Sequence, residues 1–113
     1  MPAPAHAQGD VLLAWLVFTD GQGSKRRPVL VVQDFGDDDL LVVPVTSQDA
    51  RVATDVVLAR WQSAGLRLPS TVRAGKLATI EKSRVARKLG ALPPDELVSV
   101  RKAWAAVFKG ILG

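Results

Sequence analysis

The stretch that decides the fold is residues 27–47, RPVLVVQDFGDDDLLVVPVTS, in which two apolar runs flank an acidic segment. Pro28 stands before a predicted strand over Val29–Gln33, at a position where a missing backbone N–H costs little. A second predicted strand follows over Leu40–Val45. The Gly and Asp residues of segment 35–39 are typical of a turn, so the pattern predicts an antiparallel hairpin.

Three further segments have the composition of strands. An apolar run over Val11–Phe18 contains Trp and β-branched residues and predicts a buried strand. Shorter runs over Asp55–Ala59 and Thr71–Ile80 predict a fourth and a fifth strand. After these, Ser83 is expected to cap a single helical turn over Arg84–Arg87.

The C-terminal segment predicts one amphipathic helix over residues 94–112. Pro93 and Pro94 mark its start, and Asp95 and Glu96 place negative charge at the positive end of its dipole. Apolar residues then recur at spacings of three and four and form one stripe that faces a core: Leu97, Val100, Trp104, Val107, Phe108 and Ile111.

These elements predict a mainly β fold with a C-terminal helix, in which short antiparallel strands curl into a small barrel. A single domain is expected over residues 9–113, because a chain of 113 residues that is 48% apolar holds enough for one core. Residues 1–8 are rich in Pro and Ala and are expected to form a flexible tail.

The composition excludes several classes of site. With no cysteine, the chain has no disulfide, thiolate metal site or cysteine nucleophile, and a single histidine makes a histidine metal centre implausible. We therefore expect neither a metal nor a cofactor. Residues 1–50 carry 3 basic and 7 acidic groups, whereas residues 51–113 carry 12 basic and 4 acidic groups, so the halves sum to −4 and +8. A polyanionic partner such as nucleic acid is indicated, with a solvated basic surface as the alternative.

The N-terminal residues do not look like a targeting segment. Residues 1–8 lack the basic and apolar regions of a secretory signal. The apolar run over residues 11–18 is far shorter than the roughly 20 residues of a membrane helix. A soluble cytoplasmic protein without a membrane partner is expected.

The first candidate site is a run of basic residues. Lys25, Arg26 and Arg27 end a Gly-rich polar stretch that begins at Gly21 and is predicted to be a loop. A guanidinium group matches the oxygens of a phosphate in a bidentate way, so the run could hold a phosphate. The alternative is a solvated loop or a salt bridge to a nearby aspartate.

The second candidate site follows the hairpin. Thr46, Ser47 and Gln48 come directly after the third predicted strand, at the end of the hairpin where Arg27 lies. A hydroxyl beside an arginine can position a phosphate or hydrogen-bond a nucleophile. The same residues also occur in ordinary turns, where they satisfy local backbone donors.

Other candidate residues are basic or aromatic. Arg73 and Lys76 add positive charge to the predicted fifth strand, with structural salt bridges as the alternative role. Trp15 and Trp104 are expected in the core. Trp61 is expected to be exposed, where it could stack on a nucleobase or pack onto the end of the barrel.

The order of these pieces resembles the MazF/PemK (Kid-like) toxin family. The matching stretches are GDV at 9–11, RPVLVV at 27–32 after a Gly/Ser loop, and VPVTS at 43–47. The stretches 65–73 and 77–82 and the terminal helix also match, so the resemblance runs in order over nearly all of the chain from residue 9.

This resemblance implies an SH3-like antiparallel β-barrel of the CcdB/Kid/MazF type that acts as a homodimer. The implied activity is that of a toxin of a type II toxin–antitoxin system, a hydrolase-class endoribonuclease (mRNA interferase) that cleaves single-stranded RNA at short sequences without a metal. The ribose 2′-hydroxyl would attack the adjacent phosphate and leave a 2′,3′-cyclic phosphate and a 5′-hydroxyl. A co-encoded acidic antitoxin is the implied protein partner.

The resemblance also assigns roles to residues of this chain. Arg27 would contact the scissile phosphate, and Thr46 would orient the reacting groups. Arg73 matches an arginine proposed as general acid in Kid-type members, but electrostatic stabilisation suits a guanidinium better, because its pKa is about 12.5–13.8. The residues expected to bind RNA are Lys25, Arg26, Ser47, Gln48 and Lys76.

The chain departs from the Kid-type pattern at two positions. Gly75 stands where Kid-type members have an aspartate that serves as general base, and Gly21 or a neighbour stands where they have a histidine. Two alternatives follow, a family member that binds RNA or DNA without cutting it and a CcdB-like toxin that inhibits gyrase. The pairing of Arg27 with Thr46 favours RNA cleavage, because gyrase inhibition needs no phosphate-binding pair there.

Overall fold

The computed structural model of the chain describes residues 5–17 and 23–113, with side chains for all of these except Val17 and Ser24. The described elements are seven strands, one α-helix and two 3₁₀ turns. They are β1 (Asp10–Val17), β2 (Ser24–Asp34), β3 (Asp39–Thr46), β4 (Asp55–Val57), a 3₁₀ turn (Trp61–Ala64), β5 (Thr71–Arg73), β6 (Ala78–Glu81), a 3₁₀ turn (Lys82–Arg84), β7 (Val85–Ala91) and α1 (Pro94–Leu112).

The strands pair antiparallel in one sheet of order β4-β5-β3-β2-β1-β7. One edge of β3 pairs with β2, and its other edge is shared by β6 and then β5. The molecule is nearly isometric, with principal extents of 31 × 31 × 30 Å. The sheet curls in the manner of a barrel. It does not close, because the described pairings do not join β4 to β7. The prediction of a mainly β fold with a C-terminal helix is confirmed.

The middle parts of β1, β2 and β3 are buried on both faces, as expected for strands with continuous apolar runs. One face packs with α1 and the first 3₁₀ turn, through Val11, Leu30 and Val43 against Val100 and Trp104. The other face is enclosed by the sheet itself, with members of β6 and β7 packed against it: Leu12, Ala14, Val29, Val31, Leu40 and Val42, with Ile80 and Val85. The hairpin predicted over residues 27–47 therefore contributes side chains to both cores.

Three sequence expectations were wrong in detail. Lys25, Arg26 and Arg27 do not end a loop, because β2 begins at Ser24 and places them on the strand opposite Leu16, Trp15 and Ala14. The predicted fifth strand is two strands, β5 and β6, separated by a turn in which the Lys76 amide donates to the Arg73 carbonyl over 3.1 Å.

The third error concerns the segment after Ser83. The expected helical turn over 84–87 does not form: Arg84 ends the 3₁₀ turn over Lys82–Arg84, and residues 85–87 begin β7, which pairs with β1. Its register with β1 shifts twice, on either side of the Leu12–Leu13 pairs with Lys88 and Arg87. Such bulges bend a strand and break its simple alternation, so the period-two pattern of a strand is lost from the sequence.

The first 3₁₀ turn packs backbone to backbone on β7. It ends at Gly65, whose φ of +83° lies in the left-handed region. A Cβ at Gly65 would overlap the carbonyl oxygen of Leu89, and a Cβ at Gly90 would come within 2.5 Å of the carbonyl oxygen of Ala64. Only glycine permits this close contact between the two backbones. The contact fixes the path of the residues that follow Gly65.

Two carboxylates link the helix and the N-terminal arm to the sheet. Glu96, buried in the first turn of α1, accepts the amides of Ala59 at 2.8 Å and Arg60 at 3.0 Å. Asp34, buried at the end of β2, accepts the amides of Ala5 at 2.9 Å and His6 at 3.0 Å. Residues 1–4 of the predicted flexible tail lie outside the described residues, whereas this later part is hydrogen-bonded to the sheet.

Asp34 makes stability depend on pH. Lys82, whose Nζ lies 2.8 Å from Oδ1, together with backbone N–H donors, holds the pKa of Asp34 well below its ordinary value of 3.8. A carboxyl with a lowered folded pKa stabilises the fold above its unfolded pKa, and that contribution is lost as the pH falls. We expect the free energy of unfolding, measured by urea denaturation, to fall between pH 7 and pH 2 as Asp34 becomes protonated.

The variant that isolates this contribution is Asp34→Asn, which removes the charge and keeps the shape. It should be less stable than the wild type at pH 7 and lose less stability on acidification. An equal loss in both proteins between pH 7 and pH 2 would show that Asp34 is not the group responsible.

Within residues 5–17 and 23–113, no helix combines the length and the apolar character that crossing a membrane requires.

Candidate functional site

A cleft of about 870 Å³ opens where β2 begins and β3 ends. Its walls come from β1, the two ends of the hairpin, the segment after the first 3₁₀ turn, and β7. The lining residues are Leu13, Arg26, Arg27, Pro28, Val45, Thr46, Ser47, Gln48, Gly65, Leu66, Arg67, Leu68, Ser70, Arg87 and Leu89. The close backbone approach of Gly65 to β7 forms one side of this cleft.

The cleft is positively charged. Four of its lining residues are arginines, namely Arg26, Arg27, Arg67 and Arg87, and no aspartate or glutamate is among the lining residues described. Clustered guanidinium groups with no acidic neighbour in the same wall create a positive potential and match phosphate oxygens in geometry. The cleft is therefore suited to a polyanion.

The hairpin brings Arg27 and Thr46 to the same end of the sheet, as predicted. Val29 pairs with Pro44, and each of the two residues lies two positions further in the same direction. The Thr46 Oγ1 accepts the Gln48 amide over 3.2 Å, which fixes the hydroxyl group at the start of the turn. A hydroxyl that accepts one hydrogen bond retains a proton to donate, so Thr46 can donate to an oxygen held by Arg27.

The other predicted site residues divide between the cleft and its surroundings. Arg26, Ser47 and Gln48 line the cleft with Arg27 and Thr46. Lys25 is exposed on β2 and is not among the lining residues. Arg73 and Lys76 instead line a separate cavity of about 310 Å³, together with Arg51, Val52, Thr54, Asp55 and Gly75.

Arg73 is buried and paired. Its side chain is 8% exposed, and its Nη1 lies 2.8 Å from Oδ2 of Asp55, its cross-strand partner on β4. Its Nη2 donates to Oε1 of Gln48 over 3.1 Å. The stabilisation of a reacting phosphate by Arg73 remains a prediction, and in this structure its charge is compensated by a carboxylate.

Asp55 is the carboxylate that the sequence reading did not find. The backbone amide of Arg51, then that of Val52 and the charges of Arg73 and Lys76, lower its pKa despite the opposing effect of burial. A carboxylate saturated by these donors is a weak base and serves as an anchor. A Cβ at Gly75 would lie 3.0 Å from Oγ1 of Thr54, so the aspartate of the Kid-type pattern would require a small shift of the Thr54 side chain.

Two arginines of the cleft were also missed. Arg67 lies in the segment after Gly65, and Arg87 lies on β7, which was not predicted as a strand. The sequence gives no signal for Arg87, because the bulges of β7 interrupt the alternation expected of a strand. It gives none for Arg67 either, since the position of that residue depends on where the first 3₁₀ turn docks.

The core prediction for Trp15 was wrong, whereas for Trp61 the structure shows the packing alternative and not the exposed one. Trp15 is 43% exposed, and the guanidinium carbon of Arg26 lies 5.4 Å from its ring centroid, a cation–π distance. Trp61 is instead partly buried against the core that contains Trp104. Trp15 shares a face of β1 with Leu13, which lines the cleft, so an exposed ring stands beside the arginines.

No group of three or more His, Cys, Asp or Glu side chains within the described part of the chain is arranged to hold a metal ion.

The fold matches known structures along nearly its whole length. The Mycobacterium tuberculosis toxin MazF-mt6 is 25% identical, with a TM-score of 0.73 over 88% of this chain and 96% of that one. An endoribonuclease in complex with its cognate antitoxin from Mycobacterial species is 22% identical, with a TM-score of 0.74 over 93% and 96%. The MazE–MazF structure (Form-II) from Deinococcus radiodurans is 20% identical, with a TM-score of 0.75 over 95% and 98%.

Among curated proteins, none matches this chain in sequence. A family model does match, over residues 7–108, which includes every strand and most of α1. That span also contains every described residue of the arginine-lined cleft. The chain belongs to the PemK-like, MazF-like toxins of type II toxin–antitoxin systems.

Proposed function

We propose that this toxin is an endoribonuclease that cleaves single-stranded RNA at specific sequences without a metal ion. The observation that carries the proposal is the cleft lined by four arginines and Thr46, with no carboxylate among the lining residues described. The structurally similar Mycobacterial proteins described as endoribonucleases support the same activity. The activity would be that of a nuclease that breaks the strand by transesterification, with no water consumed in that step.

The proposed reaction is an internal transesterification. The 2′-oxygen forms a bond to phosphorus, the bond from phosphorus to the 5′-oxygen breaks, and the products are a 2′,3′-cyclic phosphate and a 5′-hydroxyl. The 2′-proton passes to water, and water returns a proton to the 5′-oxygen. Arg27 stabilises the extra negative charge on the phosphorane, and Thr46 donates a hydrogen bond to one of its oxygens.

The proposed partners follow from charge and family. Single-stranded RNA would occupy the basic cleft, and a cognate antitoxin with an acidic segment would compete for the same positive surface. Solved relatives in complex with an antitoxin support this pairing. A homodimer is the proposed assembly, as the resemblance to the family implies.

The proposed function is tested with purified protein and a long single-stranded RNA in EDTA. Discrete cuts mapped by primer extension would support a sequence-specific, metal-independent nuclease. Intact RNA at high protein excess would contradict it.

A fluorescence anisotropy titration with the same RNA would then show whether the chain binds without cutting. For four phosphate contacts on a single strand, log K should fall with log salt at a slope of about −3.

Trp15 leads to a separate prediction about binding. We expect Trp15→Ala to weaken binding of a noncleavable 2′-deoxy oligonucleotide at least about fivefold, since stacking of one base on an aromatic ring contributes about 1–3 kcal/mol. Trp15→Phe should retain much of the affinity. Phe35→Ala, which removes an aromatic ring that is 61% exposed at the β2–β3 turn, serves as the matched control and should bind normally.

A further inference from the structure

Gln48 lies between the two cavities and contacts residues of both. It lines the arginine cleft, whereas its Oε1 accepts hydrogen bonds from Nη2 of Arg51 and Nη2 of Arg73, each over 3.1 Å. Both of these arginines line the smaller cavity on the other side. One amide oxygen is therefore held by two guanidinium groups.

The chemistry of arginine fixes which way this amide points. A guanidinium group has five N–H donors and no acceptor, so only the oxygen of an amide can face it. If the amide were reversed, the N–H groups of Gln48 would face the N–H groups of the two arginines. The Gln48 Nε2 group, with its two donors, therefore does not face these arginines, and the residue lines the arginine cleft.

The amide is anchored by a buried pair and not only by a surface contact. The Asp55 side chain is 2% exposed, and its Oδ2 lies 2.8 Å from Nη1 of Arg73 and accepts the Arg51 amide at 2.8 Å. Arg51 itself is exposed, so its contact with Gln48 adds less. Asp55, Arg73 and Gln48 thus form a chain from the interior to the cleft wall.

We propose that Asp55 and Arg73 act as positioning residues, and that Gln48 reads a nucleobase of bound RNA through its two fixed N–H donors. The inference rests on the proposed function. A neutral amide suits a base edge, because the phosphates already have four arginines to contact in the same cleft. With its oxygen occupied, Gln48 selects bases that present an acceptor and rejects those that present a donor at that point.

The test measures discrimination and not only rate. Dissociation constants are measured for noncleavable 2′-deoxy oligonucleotides that carry each of the four bases at every position of the cleaved sequence in turn. If no cleaved sequence is found, a randomised oligonucleotide pool supplies the preferred one. At one position, the affinity should be about tenfold higher for bases that present an acceptor to Gln48 than for bases that present a donor to it. Because this readout is binding, it stands even where RNA cleavage fails.

Gln48→Glu replaces the donors by acceptors in the same shape, and it should abolish or reverse the preference at that one position only. Arg73→Lys keeps the charge opposite Asp55 but loses the forked donor. It should reduce the same preference at least threefold, and add nothing further in the Gln48→Ala background. Gln62→Glu and Arg101→Lys make the same chemical changes at exposed positions outside the cleft and should leave the preference unchanged.

Three results would overturn the inference. One is a wild-type protein with no base preference at any position. Another is an unchanged preference in Gln48→Glu. The third is an Arg73→Lys variant that, while folded, loses cleavage of all sequences equally and keeps its base preference, because Arg73 would then act on the reacting phosphate itself.

Discussion

Replacing Arg27 with Ala is expected to lower kcat/KM for RNA cleavage by about 10²–10³-fold, the effect typical of removing one donor to a developing oxyanion. Affinity for a noncleavable oligonucleotide should fall less than about tenfold, because Arg26, Arg67 and Arg87 still line the cleft. The two effects are separated by measuring single-turnover cleavage and anisotropy on the same oligonucleotide. Loss of rate with retained binding places Arg27 at the reacting phosphate.

Two variants control this result. Arg27→Lys keeps the charge but not the bidentate geometry, and it should recover only part of the lost rate. Arg101→Ala removes an exposed arginine of α1 and should cleave like the wild type. Cleavage by Arg27→Ala within threefold of the wild-type rate would contradict the assigned role.

Replacing Gly65 with Ala is expected to lower the free energy of unfolding by about 3 kcal/mol or more. Its φ of +83° is unfavourable for a residue with a Cβ by about 1–2 kcal/mol. The added Cβ also overlaps the Leu89 carbonyl oxygen, so the turn or β7 must shift. Urea denaturation measures the loss. Because Leu66, Arg67 and Leu68 follow directly and line the cleft, RNA affinity should fall as well.

Gly110→Ala is the matched control for this substitution. A Cβ there has no neighbour within 4 Å, and the residue lies within α1, where Ala is favoured over Gly by up to about 1 kcal/mol. Its unfolding midpoint should be unchanged or higher. If Gly65→Ala unfolds at the wild-type urea concentration, the backbone contact between the turn and β7 does not stabilise the fold.

The parts of the fold that local pattern determines were predictable. The pairing of the hairpin and the bounds of α1 were placed correctly from the sequence, because both have long apolar periodicity. The stripe of α1 was only partly correct, since Phe108 and Ile111 are exposed and do not face the core. β7 was not predicted as a strand, because its two bulges break the alternation of its residues. Its composition alone does not favour a strand, and its pairing with β1 stabilises it. Lys25 to Arg27 were predicted in a loop because they are polar. In the structure they lie on β2, where pairing with β1 stabilises the strand.

The candidate site was predictable where one hairpin builds it. Arg27 and Thr46 followed from the antiparallel pairing of two neighbouring strands, which brings both residues to the same end although the register shifts at Val32. Asp55 and Arg73 pair across β4 and β5, 18 residues apart, and this pairing depends on how the intervening connection folds. The exposure of Trp15 likewise depends on tertiary structure, since its place in an apolar run predicts burial.

The most direct test of the central claim, that the arginine cleft promotes attack by a ribose 2′-hydroxyl, uses one RNA oligonucleotide that contains a single mapped cleavage site. It is compared in EDTA with an otherwise identical oligonucleotide that has one 2′-deoxy residue on the 5′ side of the scissile phosphate. We predict that the all-ribose strand is cut to a 2′,3′-cyclic phosphate and a 5′-hydroxyl, whereas the substituted strand binds equally well and stays intact. Cleavage of the substituted strand at the same bond, or products that end in a 5′-phosphate, would contradict the account.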